Sequence, residues 1–116
     1  MINNARPSIL PLDSIKNEQI KMILEYFGEE HQRIKACEEL TELQVEIFHN
    51  SSEDTAKIND IYDKVVSEIA DVYIMLEQVV KIYGILKSDI DKSMTLKLRR
   101  TEDRIQENKR SAPGNG

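Results

Sequence analysis

The sequence predicts an all-α fold, a four-helix bundle around a central helical hairpin. Apolar residues recur at helical spacing in four successive segments, a pattern that gathers side chains on one face of each helix. Turn and cap formers cluster between those segments. Three Pro, four Gly, no Trp and 32% charged residues complete a balance that leaves long helices uninterrupted. At 116 residues the chain has room for one domain.

Residues 1–11 contain Asn3, Asn4, Pro7 and Pro11 without periodicity and read as an N-terminal arm. The first helix is expected from Leu12 to about Tyr26. Leu12, Ile15, Ile20, Ile23, Leu24 and Phe27 supply its apolar positions, Asp13 or Ser14 can cap its start, and Gly28 marks its end. A second helix, Glu29 to Phe48, carries Ala36, Leu40, Leu43 and Ile47 along one stripe. His49 to Asp54 has turn formers and no apolar residue, so the chain reverses there.

The third helix, Thr55 to Tyr83, is the longest. Its stripe runs through Ile58, Ile61, Tyr62, Val65, Ile69, Val72, Leu76, Val79, Val80 and Tyr83, and Gly84 is a natural stop. A fourth helix, Ser88 to Asn108, carries Ile90, Met94, Leu98 and Ile105 on one side, and 109–116 reads as a disordered tail.

The net charge of -5 argues against affinity for nucleic acid or an anionic membrane, because a polyanion binder needs a positive surface. Cys37 stands alone and cannot form an intramolecular disulfide, and no basic start followed by an apolar run suggests a signal peptide or a membrane span. A cytoplasmic location is the expectation.

The acidic residues are patterned. At about 100° per residue, Glu39 and Glu42 lie within about 60° of each other, with Glu46 between them, on an edge beside the apolar stripe. Glu68 and Asp71 occupy the matching edge of the third helix. Packing the two stripes brings four carboxylates together. Such a cluster is tolerable only with protons or cations, and an all-oxygen site suits Mg²⁺, with Mn²⁺ as the alternative. The competing reading is a solvated acidic face, helped by Lys35 and Lys64 four residues before Glu39 and Glu68. A di-iron bundle needs two Glu-x-x-His pairs, and with two histidines, one of them preceded at that spacing by Gly28, the chain cannot supply them.

Glu38-Glu39-Leu40-Thr41-Glu42 followed by Glu68-Ile69-Ala70-Asp71 resembles the two-part EExxE and ExxD pattern of the MazG-like nucleotide pyrophosphohydrolases. The 25 residues between them, Leu43 to Ser67, suit that family's helical hairpin. The flanks Tyr26 to Gln32 and Met75 to Gln78 also look like family segments, so the resemblance covers roughly Glu25 to Arg104. It implies a MazG-like domain over residues 12–108. It also implies metal binding by Glu39, Glu42, Glu68 and Asp71, with Glu38 supporting the site or orienting water. A homodimer or tetramer is implied too, with active sites near subunit contacts.

The implied reaction converts a nucleoside triphosphate and water to the monophosphate and pyrophosphate, with metals bridging phosphate oxygens and acidifying water. Glu38 and Glu39 are the catalytic candidates for accepting the proton. Carboxylates alone repel a polyphosphate, and Lys97, Arg100 and Arg104 align at steps of three and four on the fourth helix. The resemblance favours Lys97 and Arg100 as phosphate ligands, with Arg104 beside them; pairing with Glu102, Asp103 or Glu107 in solvent is the competing reading. Gln32, seven residues before Glu39, lies on the same side of its helix and can approach the base or sugar. His31 and Tyr73 read as packing or surface residues. Leu24, Tyr62, Tyr73, Val80 and Tyr83 are candidates for a subunit interface. Housecleaning of non-standard nucleotides, hydrolysis of ordinary deoxynucleotides or dUTP, and phosphoribosyl-ATP chemistry all stay open within this class. A non-catalytic helical interaction or regulatory module is the alternative outside it.

Overall fold

The computed structural model describes residues 12–49 and 58–111, with Ile58 and Asn59 described by their backbone alone. Among these residues there are four helices and no strand: α1 (Ser14–Phe27), α2 (Glu29–His49), α3 (Ile58–Tyr83) and α4 (Lys87–Ser111). The expected arm over 1–11, the turn after His49, the start of the third helix at Thr55 and the tail over 112–116 lie outside the described residues.

Local chemistry sets the helix ends. Asp13 caps α1 by accepting the Lys16 N–H at 2.8 Å, a bond that also holds its carboxyl below the usual aspartate value. Gly28 separates α1 from α2 at φ 90°, where an L side chain is strained. Its N–H donates to the Leu24 carbonyl at 2.9 Å and its own carbonyl accepts the Gln32 N–H at 3.0 Å, so one residue ends one helix and opens the next. Gly84, at φ 62°, stops α3 in the left-handed region.

α1, α2 and α3 form one compact unit, and α4 belongs to another. The buried apolar residues are Ile20, Ala36, Val72, Met75 and Val80. On α2 the buried face departs from the expected stripe. Gln32, Ala36 and Glu39 are buried and Leu43 and Glu46 half-buried, whereas Leu40 and Ile47 are exposed. The seam steps by four, three, four and three through residues 32, 36, 39, 43 and 46, and it passes through polar side chains because α3 presents polar partners opposite them.

On α3, Val72 and Val80 are buried as the stripe requires, while Tyr62, Ile69 and Tyr83 are exposed. Met75, Glu77 and Gln78, outside that stripe, are buried, and Glu77 forms an ion pair with Lys81 at 3.8 Å. Of the interface candidates, Tyr62, Tyr73 and Tyr83 are exposed and Leu24 is half-buried, but Val80 belongs to the core and offers no surface.

α4 buries none of its residues: Met94, Leu98 and Ile105 are all exposed. It continues through Lys109, Arg110 and Ser111, three residues past the expected end at Asn108. Lysine and arginine are good helix formers that complement the negative end of the helix dipole, and the Ser111 hydroxyl donates back to the Glu107 carbonyl at 2.8 Å.

Candidate metal centre and adjoining cleft

α2 and α3 run antiparallel in a fixed register. Gln32 meets Gln78, Glu39 meets Asp71, and Glu42 meets the field of Glu68. Seven residues forward on α2 from Gln32 to Glu39 match seven back on α3, and three more match three. Spacings of three and four keep all six on the facing sides of their helices.

The register brings carboxylates together. One oxygen each of Glu39, Glu42 and Glu68 lies within 4.8 Å of the others, with Glu39 buried, Glu68 half-buried and Glu42 exposed. Asp71 lines the same cleft as Glu39 and lies within reach of its charge. Glu39 Oε1 and Glu68 Oε1 are buried without a hydrogen-bond partner. Buried acceptors without donors are costly.

The crowding is visible in proton affinities. The Glu42 carboxyl is pushed above its ordinary value chiefly by Glu39, through close side-chain approach and then through the Glu39 charge. Burial pushes Glu68 up, followed by the charges of Asp71, Glu39 and Glu46. Burial also raises Asp71, followed by the charge and close approach of Glu39. Opposing them is Lys35, whose Nζ lies 3.3 Å from Glu39 and 3.7 Å from Glu38, and whose own pKa is raised chiefly by the bond to Glu39. One partly exposed ammonium does not balance four carboxylates. The donor set, all oxygen, anionic and partly unsatisfied, fits a hard divalent cation such as Mg²⁺ or Mn²⁺.

A cleft of about 450 Å³ adjoins this cluster, walled by Glu38, Glu39 and Asp71 at one end and by Phe27, Gln32 and Gln78 among others at the other. Glu38 is exposed, and Gln32 is buried in the wall. Lys97, Arg100 and Arg104 are exposed on α4. Sequence periodicity assigned no site role to Lys35, Phe27, Met75 or Gln78, all of which line the cleft. The seven-residue step from Gln78 back to Asp71, equal to that from Gln32 to Glu39, is the signal that pairs Gln78 with Gln32. His31 reaches the same wall by stacking on Phe27, with ring centroids 5.1 Å apart.

Among the described residues no helix is long and apolar enough to cross a membrane. No family model, curated protein or solved structure matches this chain.

Proposed function

We propose that this chain is a magnesium-dependent nucleoside triphosphate pyrophosphohydrolase of the MazG-like kind. It releases the monophosphate and pyrophosphate and serves housecleaning or control of the nucleotide pool. One observation carries this reading: Glu39, Glu42 and Glu68 converge within 4.8 Å beside Asp71, with two of their oxygens buried and unpartnered. The EExxE and ExxD resemblance supplies the reaction.

In this reading Glu39, Glu42, Glu68 and Asp71 hold Mg²⁺, with Mn²⁺ as a substitute. An ion held by these four carboxylates would supply Lewis-acid polarisation of a phosphate and a more acidic water. Glu38 lines the same cleft one residue from Glu39, and its exposed carboxylate supports assigning it the proton of the attacking water. Lys35 puts a cation among the acids, where it offsets phosphate charge. Phosphate binding by Lys97, Arg100 and Arg104 rests on the resemblance. Self-association as a homodimer or tetramer belongs to the same proposal and is supported by exposed Tyr62, Tyr73 and Tyr83 on α3.

The test is a panel of nucleoside triphosphates with Mg²⁺, following pyrophosphate release by the wild type, Glu39→Gln and Asp71→Asn. Release by the wild type that collapses in both variants is the expected result. If the protein binds Mg²⁺ yet releases pyrophosphate from no nucleotide, the helical interaction module replaces this reading.

A further inference from the structure

The α2–α3 seam carries a second polar pair that the phosphate chemistry leaves unused. Gln32 and Gln78 are 4% and 1% exposed, and Gln32 Nε2 donates to Gln78 Oε1 at 2.8 Å. Gln32 Oε1 also contacts His31 Nδ1 at 2.6 Å. Both amide oxygens are therefore engaged. The amide nitrogen of Gln78 is poorly served: its contacts with the Ile74 carbonyl and the Met75 sulfur are both 3.5 Å. At that length an N–H bond to oxygen is weak. Two apolar residues would fill this wall without the cost of buried amides.

The rest of this end of the cleft is lined by rings and aliphatic side chains. Phe27 is half exposed and stacks on His31 at an interplanar angle of 17°, and Ile74 and Met75 contribute from α3. A ring surface, an apolar wall and a hydrogen-bonding edge at the side are the elements with which proteins hold a purine or pyrimidine. From Gln32 to Glu39 the helix climbs about 10 Å at 1.5 Å per residue, a span that a sugar and its first phosphate can bridge.

We propose that this end of the cleft is a nucleobase pocket in which the Phe27–His31 ring pair covers the base and the Gln32–Gln78 amide pair reads its edge. The proposal rests on the phosphate-site reading above. The spare capacity of the amide pair is N–H, so the pocket selects bases that present a carbonyl oxygen, such as uracil, over isosteres that present an amino group there, such as cytosine. Gln32 and Gln78 set specificity, and Phe27 sets affinity.

Calorimetric titration in Mg²⁺ with inorganic triphosphate and with the α,β-imido analogues of dUTP and dCTP separates the two ends of the cleft. In the wild type the dUTP analogue should bind at least tenfold tighter than inorganic triphosphate and several-fold tighter than the dCTP analogue. Phe27→Ala should bring both nucleotides close to the inorganic triphosphate level. The double variant Gln32→Met with Gln78→Met should erase the uracil preference, and neither change should move the inorganic triphosphate affinity. Phe27 is half exposed, so its variant remains informative should the double variant not fold. If inorganic triphosphate binds but the base adds nothing, the pocket is overturned and the phosphate site stands. A uracil preference that is absent from the wild type, or unchanged in a folded double variant, overturns the amide reader. If inorganic triphosphate itself does not bind, the phosphate-site reading falls and the pocket falls with it.

Discussion

Two stretches of one helix seam, two turns apart, bury polar side chains in opposite ways. At Gln32 and Gln78 each amide carries a donor and an acceptor, so the pair bonds within itself and stays neutral. At Glu39 with Asp71, and Glu42 with Glu68, ionised partners can only accept, so the same register brings together groups that repel. The backbone geometry is shared, and side-chain chemistry alone lets one pair bond across the seam while the other depends on a proton or a cation.

Removing an acid tests that contrast most strongly. Asp71→Asn should lower turnover on the order of 10²-fold or more, the scale on which a single electrostatic stabiliser acts, while the metal-free fold gains stability because one repelling charge has gone. Steady-state kinetics and thermal unfolding of the same preparation check both halves. Equal losses of activity and of stability would reduce Asp71 to a packing residue.

Next comes the metal. Glu42, Glu68 and Asp71 hold protons more tightly in the folded chain than their ordinary values of 4.5 and 3.8. The native state therefore binds more protons than the unfolded state above those values, and without divalent ion stability should fall as pH rises from there through the raised values. Ligation needs the deprotonated acids, so the gain from Mg²⁺ should grow in the same direction. At a hundred times its dissociation constant the ion should contribute about 2.7 kcal/mol. Thermal melts across pH, with Mg²⁺ and with a chelator, measure this, and parallel curves would deny coupling between the acids and the ion.

The amide pair should respond differently. Gln78→Leu leaves Gln32 Nε2 buried without its partner and should cost about 1–3 kcal/mol, much of which the second change Gln32→Leu should restore. A urea-denaturation double-mutant cycle reads the coupling, and additive losses would mean the pair does not act as a unit. The smallest effect belongs to Lys35→Ala. Its ion pairs are substantially exposed, so the change in stability should stay within about 1 kcal/mol. A larger loss would show Lys35 holding the acids together.

Much of the helix layout was legible in the sequence. The first and third helices end at Phe27 and Tyr83, beside Gly28 and Gly84, because those glycines adopt a backbone that side chains resist. Glu39 and Glu42 shared an edge because three residues of helix leave them about 60° apart, and the same holds for Glu68 and Asp71. The burial of α2 was not legible. Apolar periodicity pointed to Leu40 and Ile47, which are exposed, because it has no means of crediting a buried Gln32 or Glu39 whose partner sits on another helix. The same blindness hid Gln78. On α4 an apolar stripe through Met94, Leu98 and Ile105 exists in the sequence without burying any of them.

By itself, then, the sequence determined where helices form and which side chains share a helix edge. These follow from local backbone preferences and a fixed rotation per residue, which any segment carries with it. Only the tertiary structure decided the register of α2 against α3. That choice selects which polar groups meet: amide with amide, where one donates to the other, and acid with acid, where neither ionised partner can donate. Pairing of this kind depends on groups 46 residues apart, as Gln32 and Gln78 are, and no local period encodes it.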